Sequence, residues 1–202
     1  MTGLLREESP QRMNLSDKYS EALAFAFDLH RGQQRQGSGV PYVAHLLGVS
    51  SLVLEYGGDE NQAIAGLLHD AVEDQGGSET LAAVRERFGE DVAAIVAACS
   101  DSIDPPRPPW RRRKELYLDH LGKSPGRSQL VAACDKLYNA RAILSDLRQV
   151  GDRLWDRFSG GKQGVLWYYG ALAATFTIES PVVGELGRVV QDIVSNTGLP
   201  IE

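Results

Sequence analysis

Apolar residues recur at helical spacing through most of the chain, and no stretch shows the sustained alternation that a half-buried strand requires. Glycines and prolines separate the apolar segments, and segment 101–109, which holds four prolines, is predicted to be a loop. The pattern therefore predicts an all-α fold, a single helical bundle of about ten helices. The helices expected from the spacing cover residues 17–36, 44–56, 59–75, 78–88, 91–100, 110–121, 128–150, 162–179 and 182–196.

The predicted domain spans residues 15–202, and the polar segment 1–14 is predicted to be a disordered tail. No apolar run is long enough to cross a membrane, and the N-terminal segment lacks the apolar stretch of a signal peptide. Cys99 and Cys134 both lie in apolar helical surroundings, where buried free thiols are expected. These observations predict a cytoplasmic protein that does not bind membranes.

The formal net charge of −6 argues against a nucleic-acid partner, because phosphate backbones favour basic surfaces. One basic cluster nevertheless lies at the start of the predicted helix 110–121. Cations are mildly unfavourable there, which suggests an anionic partner, but a solvated charge run paired with nearby acids explains them equally well. The members of this cluster are Arg107, Arg111, Arg112, Arg113 and Lys114.

Four polar residues, His69, Asp70, Glu73 and Asp74, stand close together near the end of the third predicted helix, which Asp59 can cap. On a continuous helix they emerge over about one turn from an otherwise apolar element. Burying them requires compensation, which a divalent cation would provide. Solvated acids at a helix end remain the alternative.

His45 and Asp135 also interrupt apolar helical segments. A lone histidine in such a place is more often a satisfied core or capping residue than a metal ligand. The alternative for Asp135 is an ion pair with Lys136 or Arg141. Lys136 is expected to be a poor partner, because consecutive helix residues do not face each other.

The order His, His-Asp, Asp resembles the HD superfamily of metal-dependent phosphohydrolases. The match is closer still to the hydrolase domain of RelA/SpoT homologues and to the stand-alone small alarmone hydrolases. The first motif of that group is approximated by HRGQQR at 30–35, SGVPY at 38–42 and His45. The second is matched by LLHDAVED at 67–74, and the third by DKLYNAR at 135–141. The resemblance extends over roughly residues 17–180.

The resemblance implies hydrolysis of guanosine tetra- or pentaphosphate (ppGpp or pppGpp), with release of pyrophosphate from the 3′ position. It implies that Glu73 and Asp74 orient the attacking water and move protons. A hard or borderline ion suits ligands without a thiolate, and the resemblance implies that this ion is Mn²⁺. The ligands implied for one such ion are His45, His69, Asp70 and Asp135.

Four further residues are candidates for substrate binding. The resemblance implies that Arg35 meets the nucleobase, and Asn139 is placed to reach the ribose or the 3′ phosphate. Lys136 is a weaker candidate, and Lys162 is a candidate because its segment resembles the stand-alone hydrolases. Each of the four also has an ordinary alternative as a solvated charge or a surface amide. The aromatic run 167–169 is assigned to the core, because aromatic residues at helical spacing are usually buried.

The sequence departs from the family pattern at four positions. Leu46 stands where a proline is usual, and Cys134 replaces a common alanine. Tyr138 replaces a common histidine in the third motif. Gly37 resembles a one-residue insertion in the loop that carries Arg35, which leaves the preference for guanosine or adenosine open.

Several other interpretations of the sequence compete with that of an alarmone hydrolase. The same fold could act on the adenosine analogue ppApp, a deoxynucleotide or NADPH. A module that binds a nucleotide without turnover is less favoured, because both the His-Asp and the Glu-Asp pairs are retained. A purely structural protein leaves the polar residues on apolar helices unexplained. The apolar positions of helix 182–196 can pack the core and still leave some for a second copy, so a homo-oligomer stays open.

Overall fold

A computed structural model describes residues 14–197, and the predicted tail therefore lies almost entirely outside the described residues. Within them the structure contains ten α-helices, one 3₁₀ helix and no strand, which confirms the all-α fold. The 3₁₀ helix, Gly151–Arg157, was not predicted. The α-helices are α1 Asp17–Leu29, α2 Val43–Glu55, α3 Glu60–Leu68, α4 Ala71–Asp74, α5 Gly77–Phe88, α6 Glu90–Cys99, α7 Trp110–Lys123, α8 Gly126–Val150, α9 Gly161–Thr175 and α10 Pro181–Thr197.

Two predicted helices need correction. The first ends at Leu29 rather than at residue 36, because the chain turns there into an extended loop closed by an isolated bridge between Gln34 and Pro41. The third divides into α3 and the single turn α4, with His69 and Asp70 between them. Consecutive residues of a continuous helix project about 100° apart, so the break lets both side chains reach one point.

The helix α8 lies at the centre of the bundle and packs against α2, α3, α6 and α10. Glycines permit its closest approach to α2, since a Cβ at Gly48 would overlap the ring of Tyr138. Gly66 similarly brings α3 against the backbone of Ser50 on α2. These close contacts carry His45, His69 and Asp135, on different elements, toward the same point inside the bundle.

The remaining local predictions can be compared directly with the structure. Asp59 caps α3 in a reciprocal box with Gln62, as expected. Cys99 and Cys134 are buried free thiols, as expected. The apolar residues of α10 pack mainly into the core against α8. Across residues 14–197, no helix is long and apolar enough to cross a membrane.

Candidate active site

Two histidines, His45 and His69, and two aspartates, Asp70 and Asp135, converge at the centre of the bundle. The Nε2 atoms of His45 and His69 lie 3.2 Å apart. Asp70 Oδ2 is 3.3 and 3.0 Å from these two nitrogens, and Asp135 Oδ1 is 3.3 and 3.4 Å from them. All but Asp70 are buried, and Asp70 is only partly exposed. Four donor atoms from α2, the α3–α4 turn and α8 thus surround one small space.

This arrangement suits a divalent cation. His69 Nδ1 lies 2.9 Å from the Gly66 carbonyl oxygen and donates its proton to it, so the Nε2 lone pair of a neutral, metal-binding ring would face the cluster. Without a metal, the charges of Asp70 and Asp135 outweigh burial and raise the pKa of His69, so the ring itself carries the positive charge. Ligand atoms about 2.1 Å from one ion have neighbours about 3 Å away, which is close to the spacing observed here. His45, His69 and Asp70 can therefore hold a metal ion, as the HD pattern requires.

Charge balance within the cluster also fits a cation. Burial alone would raise the pKa of Asp70, but the charge of His69 and hydrogen bonds from both histidines lower it well below its usual value. Tyr42 donates a hydrogen bond of 2.6 Å to Asp70 Oδ2. Burial, and then the charge of Asp70, raise the pKa of Tyr42, so the phenol stays a donor. Asp70 is thereby oriented from outside the cluster.

Asp135 is connected to the neighbouring cleft through two residues of its own helix. Asn139 Nδ2 donates to Asp135 Oδ1 at 2.6 Å, and Arg35 donates to Asn139 Oδ1 at 2.7 Å. Lys136 Nζ lies 2.6 Å from Asp135 Oδ2. The expectation that Lys136 is a poor partner for Asp135 was therefore wrong, because its long flexible stem curls back along the helix. Arg141 instead pairs with Glu185.

Glu73 lies one turn beyond Asp70, in α4, and is held by the loop that follows α6. The backbone N–H of Asp101 donates to Glu73 Oε1 at 2.5 Å. The carboxylate of Asp101 is itself fixed by Arg113 at 2.8 Å and Lys114 at 2.6 Å. Burial and the nearby charge of Asp101 raise the pKa of Glu73 to about 7. A carboxyl group with this pKa can exchange a proton near neutral pH.

Asp74 is positioned by a glutamine whose orientation is fixed. Gln33 Oε1 accepts a hydrogen bond from Gln75 Nε2 and lies 2.7 Å from His30 Nδ1. The opposite end of the same amide, Nε2, therefore donates to Asp74 Oδ2 at 2.7 Å. Partial desolvation of its carboxylate raises the pKa of Asp74, although the residue as a whole is exposed, and this hydrogen bond opposes the rise. The role of Gln33 was missed from the sequence, where it falls inside the predicted helix 17–36 and its neighbours do not indicate a contact with Asp74.

A cleft of about 360 Å³ opens beside the cluster. It begins at Lys136 and Asn139, both bonded to Asp135, and its wall includes aromatic side chains from α7, α9 and the 3₁₀ helix region. Tyr168 and Tyr169 are buried, as assigned from the sequence, but they also line this cleft. The cationic and aromatic lining residues are Arg35, Lys114, Lys136, Arg157, Trp110, Phe158, Tyr168 and Tyr169.

The basic cluster at the start of α7 is divided between two environments. Arg113 and Lys114 turn inward to Asp101, and Lys114 reaches the cleft. Arg111 and Arg112 face outward, where both lie near Glu115. Arg111 also stacks on Trp167, with its guanidinium carbon 3.2 Å from the ring centroid. Arg107 donates to the backbone carbonyl of Glu73.

Lys162 lies away from these residues. Its Nζ is 3.1 Å from Asp152 Oδ1 and 3.3 Å from the Thr197 carbonyl oxygen, and it does not line the cleft. The location gives no support to the substrate contact expected for Lys162. Arg157 and Asp146, which do line the cleft, were not predicted, because nothing in their local sequence distinguishes them from surface charges.

Comparisons with known proteins agree with this arrangement. An HD domain family model matches residues 22–166. The chain is 36% identical over 126 residues to guanosine-3′,5′-bis(diphosphate) 3′-pyrophosphohydrolase MESH1 of Xenopus tropicalis, covering 61% of this chain and 68% of the relative. The Drosophila melanogaster protein of the same name is 35% identical over 131 residues, covering 63% and 70%.

The fold is also shared with a solved structure. That structure was reported for a metazoan orthologue of SpoT that hydrolyses ppGpp. It matches with a TM-score of 0.72 and 26% identity, covering 94% of this chain and 100% of the other. Together, the family model, the relatives and the shared fold place the chain in the HD domain family, within its RelA/SpoT-type branch.

Proposed function

We propose that this protein is a metal-dependent hydrolase that removes pyrophosphate from the 3′ position of ppGpp and pppGpp, leaving GDP or GTP. The observation that carries the proposal is the convergence of His45, His69, Asp70 and Asp135 beside a cleft lined by cations. The activities named for the Xenopus and Drosophila relatives and for the structural neighbour support this substrate.

The proposed cofactor is one Mn²⁺ held by the same four side chains, a donor set of imidazole and carboxylate without thiolate. When bound, such an ion lowers the pKa of a water molecule and polarises a phosphoryl oxygen. The chain itself supplies the orientation of the ligands. Tyr42 fixes Asp70, Gly66 fixes the tautomer of His69, and Lys136 and Asn139 fix Asp135.

Two carboxyl groups handle the protons. The water oxygen bonds to the 3′ phosphorus, the bond from that phosphorus to O3′ breaks, and pyrophosphate leaves. Glu73, whose pKa is raised to about 7 by burial and by Asp101, accepts the proton of the water. The same proton then passes to O3′, and Asp74, the next residue of α4, held by Gln33, assists this transfer.

Substrate binding is assigned to the cleft. Lys136 and Lys114 face the phosphates, Asn139 faces the ribose, and Arg35 faces the nucleobase. Lys162 stays a weaker candidate because its ammonium contacts Asp152 instead. The net charge of −6 argues against a nucleic-acid partner, whereas the local cations of the cleft suit a small anionic ligand.

The remaining assignments are also proposals. We place the protein in the cytoplasm, because its buried thiols, Cys99 and Cys134, are unpaired and suit a reducing compartment. We assign residues 15–202 to one catalytic domain. The homo-oligomer that the sequence leaves open is tested by measuring the mass of this domain in solution by sedimentation.

The test is pyrophosphate release from ppGpp by purified, chelator-treated protein with Mn²⁺ restored. We expect turnover that depends on Mn²⁺ and disappears in Asp70→Asn. Asp119→Asn is the matched control, because Asp119 is an exposed acid of α7 that pairs with Lys123, far along the sequence from the motifs. The adenosine analogue and NADPH are assayed in parallel. Turnover of either of these without turnover of ppGpp would replace the proposed substrate.

A further inference from the structure

An ion pair lines the cleft at a distance from the four residues of the proposed metal site. Arg157 Nη1 donates to Asp146 Oδ2 at 2.7 Å, and both side chains line the cleft while only partly exposed. Asp146 follows Asp135 by eleven residues on α8, so their backbones lie about 16 Å apart along the helix. The pair therefore belongs to the same cleft as the cluster but is too distant to contact a metal ion there.

The surface between the two ends changes from polar to apolar. Asn139 is followed along the cleft by Ala142 and Ile143, and Leu154 and Val165 contribute further apolar lining. Flat apolar walls suit an aromatic ring better than a phosphate group, which carries its own hydration. A nucleotide with its 3′ phosphates at the cluster and its ribose near Asn139 therefore directs its base toward Asp146 and Arg157.

The ion pair is a poor site for another phosphate. The carboxylate of Asp146 already neutralises the guanidinium and would repel a second anion. In contrast, the pair presents two acceptor oxygens beside a planar set of donors. Within residues 14–197, the Arg157 guanidinium donates one hydrogen bond, to Asp146. Its other N–H groups therefore remain for a neutral ligand.

The loop that carries Arg35 holds this guanidinium in place. A Cβ at Gly37 would collide with it, 2.6 Å from its Cζ atom, and the φ of +82° at Gly37 favours glycine. The inserted residue thus allows the loop to lie directly against Arg157. Held between Asp146 and this loop, the donor set is fixed before any ligand binds, which favours discrimination between ligands.

We propose that Asp146 and Arg157 select guanine over adenine, an inference that rests on the proposed function. Guanine presents N1–H and N2–H₂ donors, which the two Asp146 oxygens can accept, and O6 and N7 acceptors, which suit arginine. Adenine presents an N6 donor where guanine has O6, so the arginine donors meet another donor. The pair is a specificity determinant and takes no part in the chemical step.

The experiment compares kcat/KM for the guanosine and adenosine 3′,5′-bis(diphosphates) in the wild type, Asp146→Asn and Arg157→Gln. We expect the wild type to prefer guanosine by at least about tenfold. Asp146→Asn should lower kcat/KM for guanosine about 10- to 100-fold and change it for adenosine by no more than about twofold. Glu185→Gln is the matched control, since it weakens a different ion pair of α8, with Arg141 outside the cleft.

Isothermal titration calorimetry with GDP and with ADP measures binding without turnover, and it separates this inference from the proposed function. If no substrate is hydrolysed, the proposed function fails, but tighter binding of GDP that is lost in both variants still supports the inference. Thermal unfolding confirms that each variant is folded. An unchanged guanosine-to-adenosine ratio in Asp146→Asn and Arg157→Gln, equal binding of GDP and ADP, or a wild-type preference for adenosine overturns the inference.

Discussion

The cluster of histidines and aspartates that forms the proposed metal site and the adjoining cleft balance their charges in opposite ways. In the cluster, the Nε2 atoms of His45 and His69 and the nearest carboxylate oxygens face one another across one small space. In the cleft, each cation already has a protein partner, as Lys114 does in Asp101 and Arg157 in Asp146. The cluster is therefore completed by an added cation, whereas the cleft offers an anionic substrate cations whose charge is already partly neutralised by the protein.

The largest expected effect comes from removing one carboxylate from the cluster. Asp135→Asn keeps the shape of the side chain but removes a charge, and we expect metal-dependent turnover to fall at least about 1,000-fold. Metal content, measured after gel filtration, reports the loss of metal binding. Pyrophosphate release from the same protein reports the loss of turnover. Asp119→Asn again serves as the control. Full metal content and turnover in Asp135→Asn would contradict the assignment of Asp135 as a ligand.

A smaller effect is expected at Gln33, which lies outside the cluster. Gln33→Glu places a second carboxylate about 2.7 Å from Asp74, and two such groups cannot both be ionised. We expect kcat to fall about 10- to 100-fold, less than the roughly 100- to 10,000-fold that general acid–base catalysis contributes, because Asp74 itself is kept, while metal content stays unchanged. Gln34→Glu alters the adjacent, exposed residue and should retain kcat. Equal kcat values in the two variants would show that Gln33 does not position Asp74 for catalysis.

The same two regions explain what the sequence could predict. His45, His69, Asp70 and Asp135 stand out because each is a polar residue within an apolar helical segment, and such residues need compensation when buried. The break between α3 and α4 was not predicted, because continuous helical spacing extends across it. Asp146 and Arg157 were missed because they resemble ordinary surface charges, and their contact spans α8 and the 3₁₀ helix, which was also not predicted.

Glu73 provides a test by stability rather than by activity. In the folded, metal-free protein burial raises its pKa to about 7, from an ordinary value of 4.5. Between these pH values the folded state holds a proton that the unfolded state has lost, so this group makes the protein less stable as the pH rises. The full difference corresponds to about 3 kcal/mol.

We therefore expect the free energy of unfolding of Glu73→Gln to increase relative to that of the wild type as the pH is raised from 4.5 to 8. Urea unfolding of chelator-treated protein at both pH values measures this change. Glu79→Gln alters an exposed glutamate of α5 and is the control. A difference between Glu73→Gln and the wild type that is independent of pH would show that burial of Glu73 does not raise its pKa.

The smallest effect is expected at Lys162, where the resemblance and the structure diverge. The ammonium contacts exposed Asp152 and the end of α10 rather than the cleft, so Lys162→Ala should change kcat/KM for ppGpp by no more than about twofold. Lys136→Ala is the informative comparison, because Lys136 is only partly exposed in the cleft beside Asp135 and its removal should raise KM at least about tenfold. If Lys162→Ala instead raises KM as much as Lys136→Ala does, the 3₁₀ helix and the start of α9 must rearrange around bound substrate, and the cleft described here is an open form.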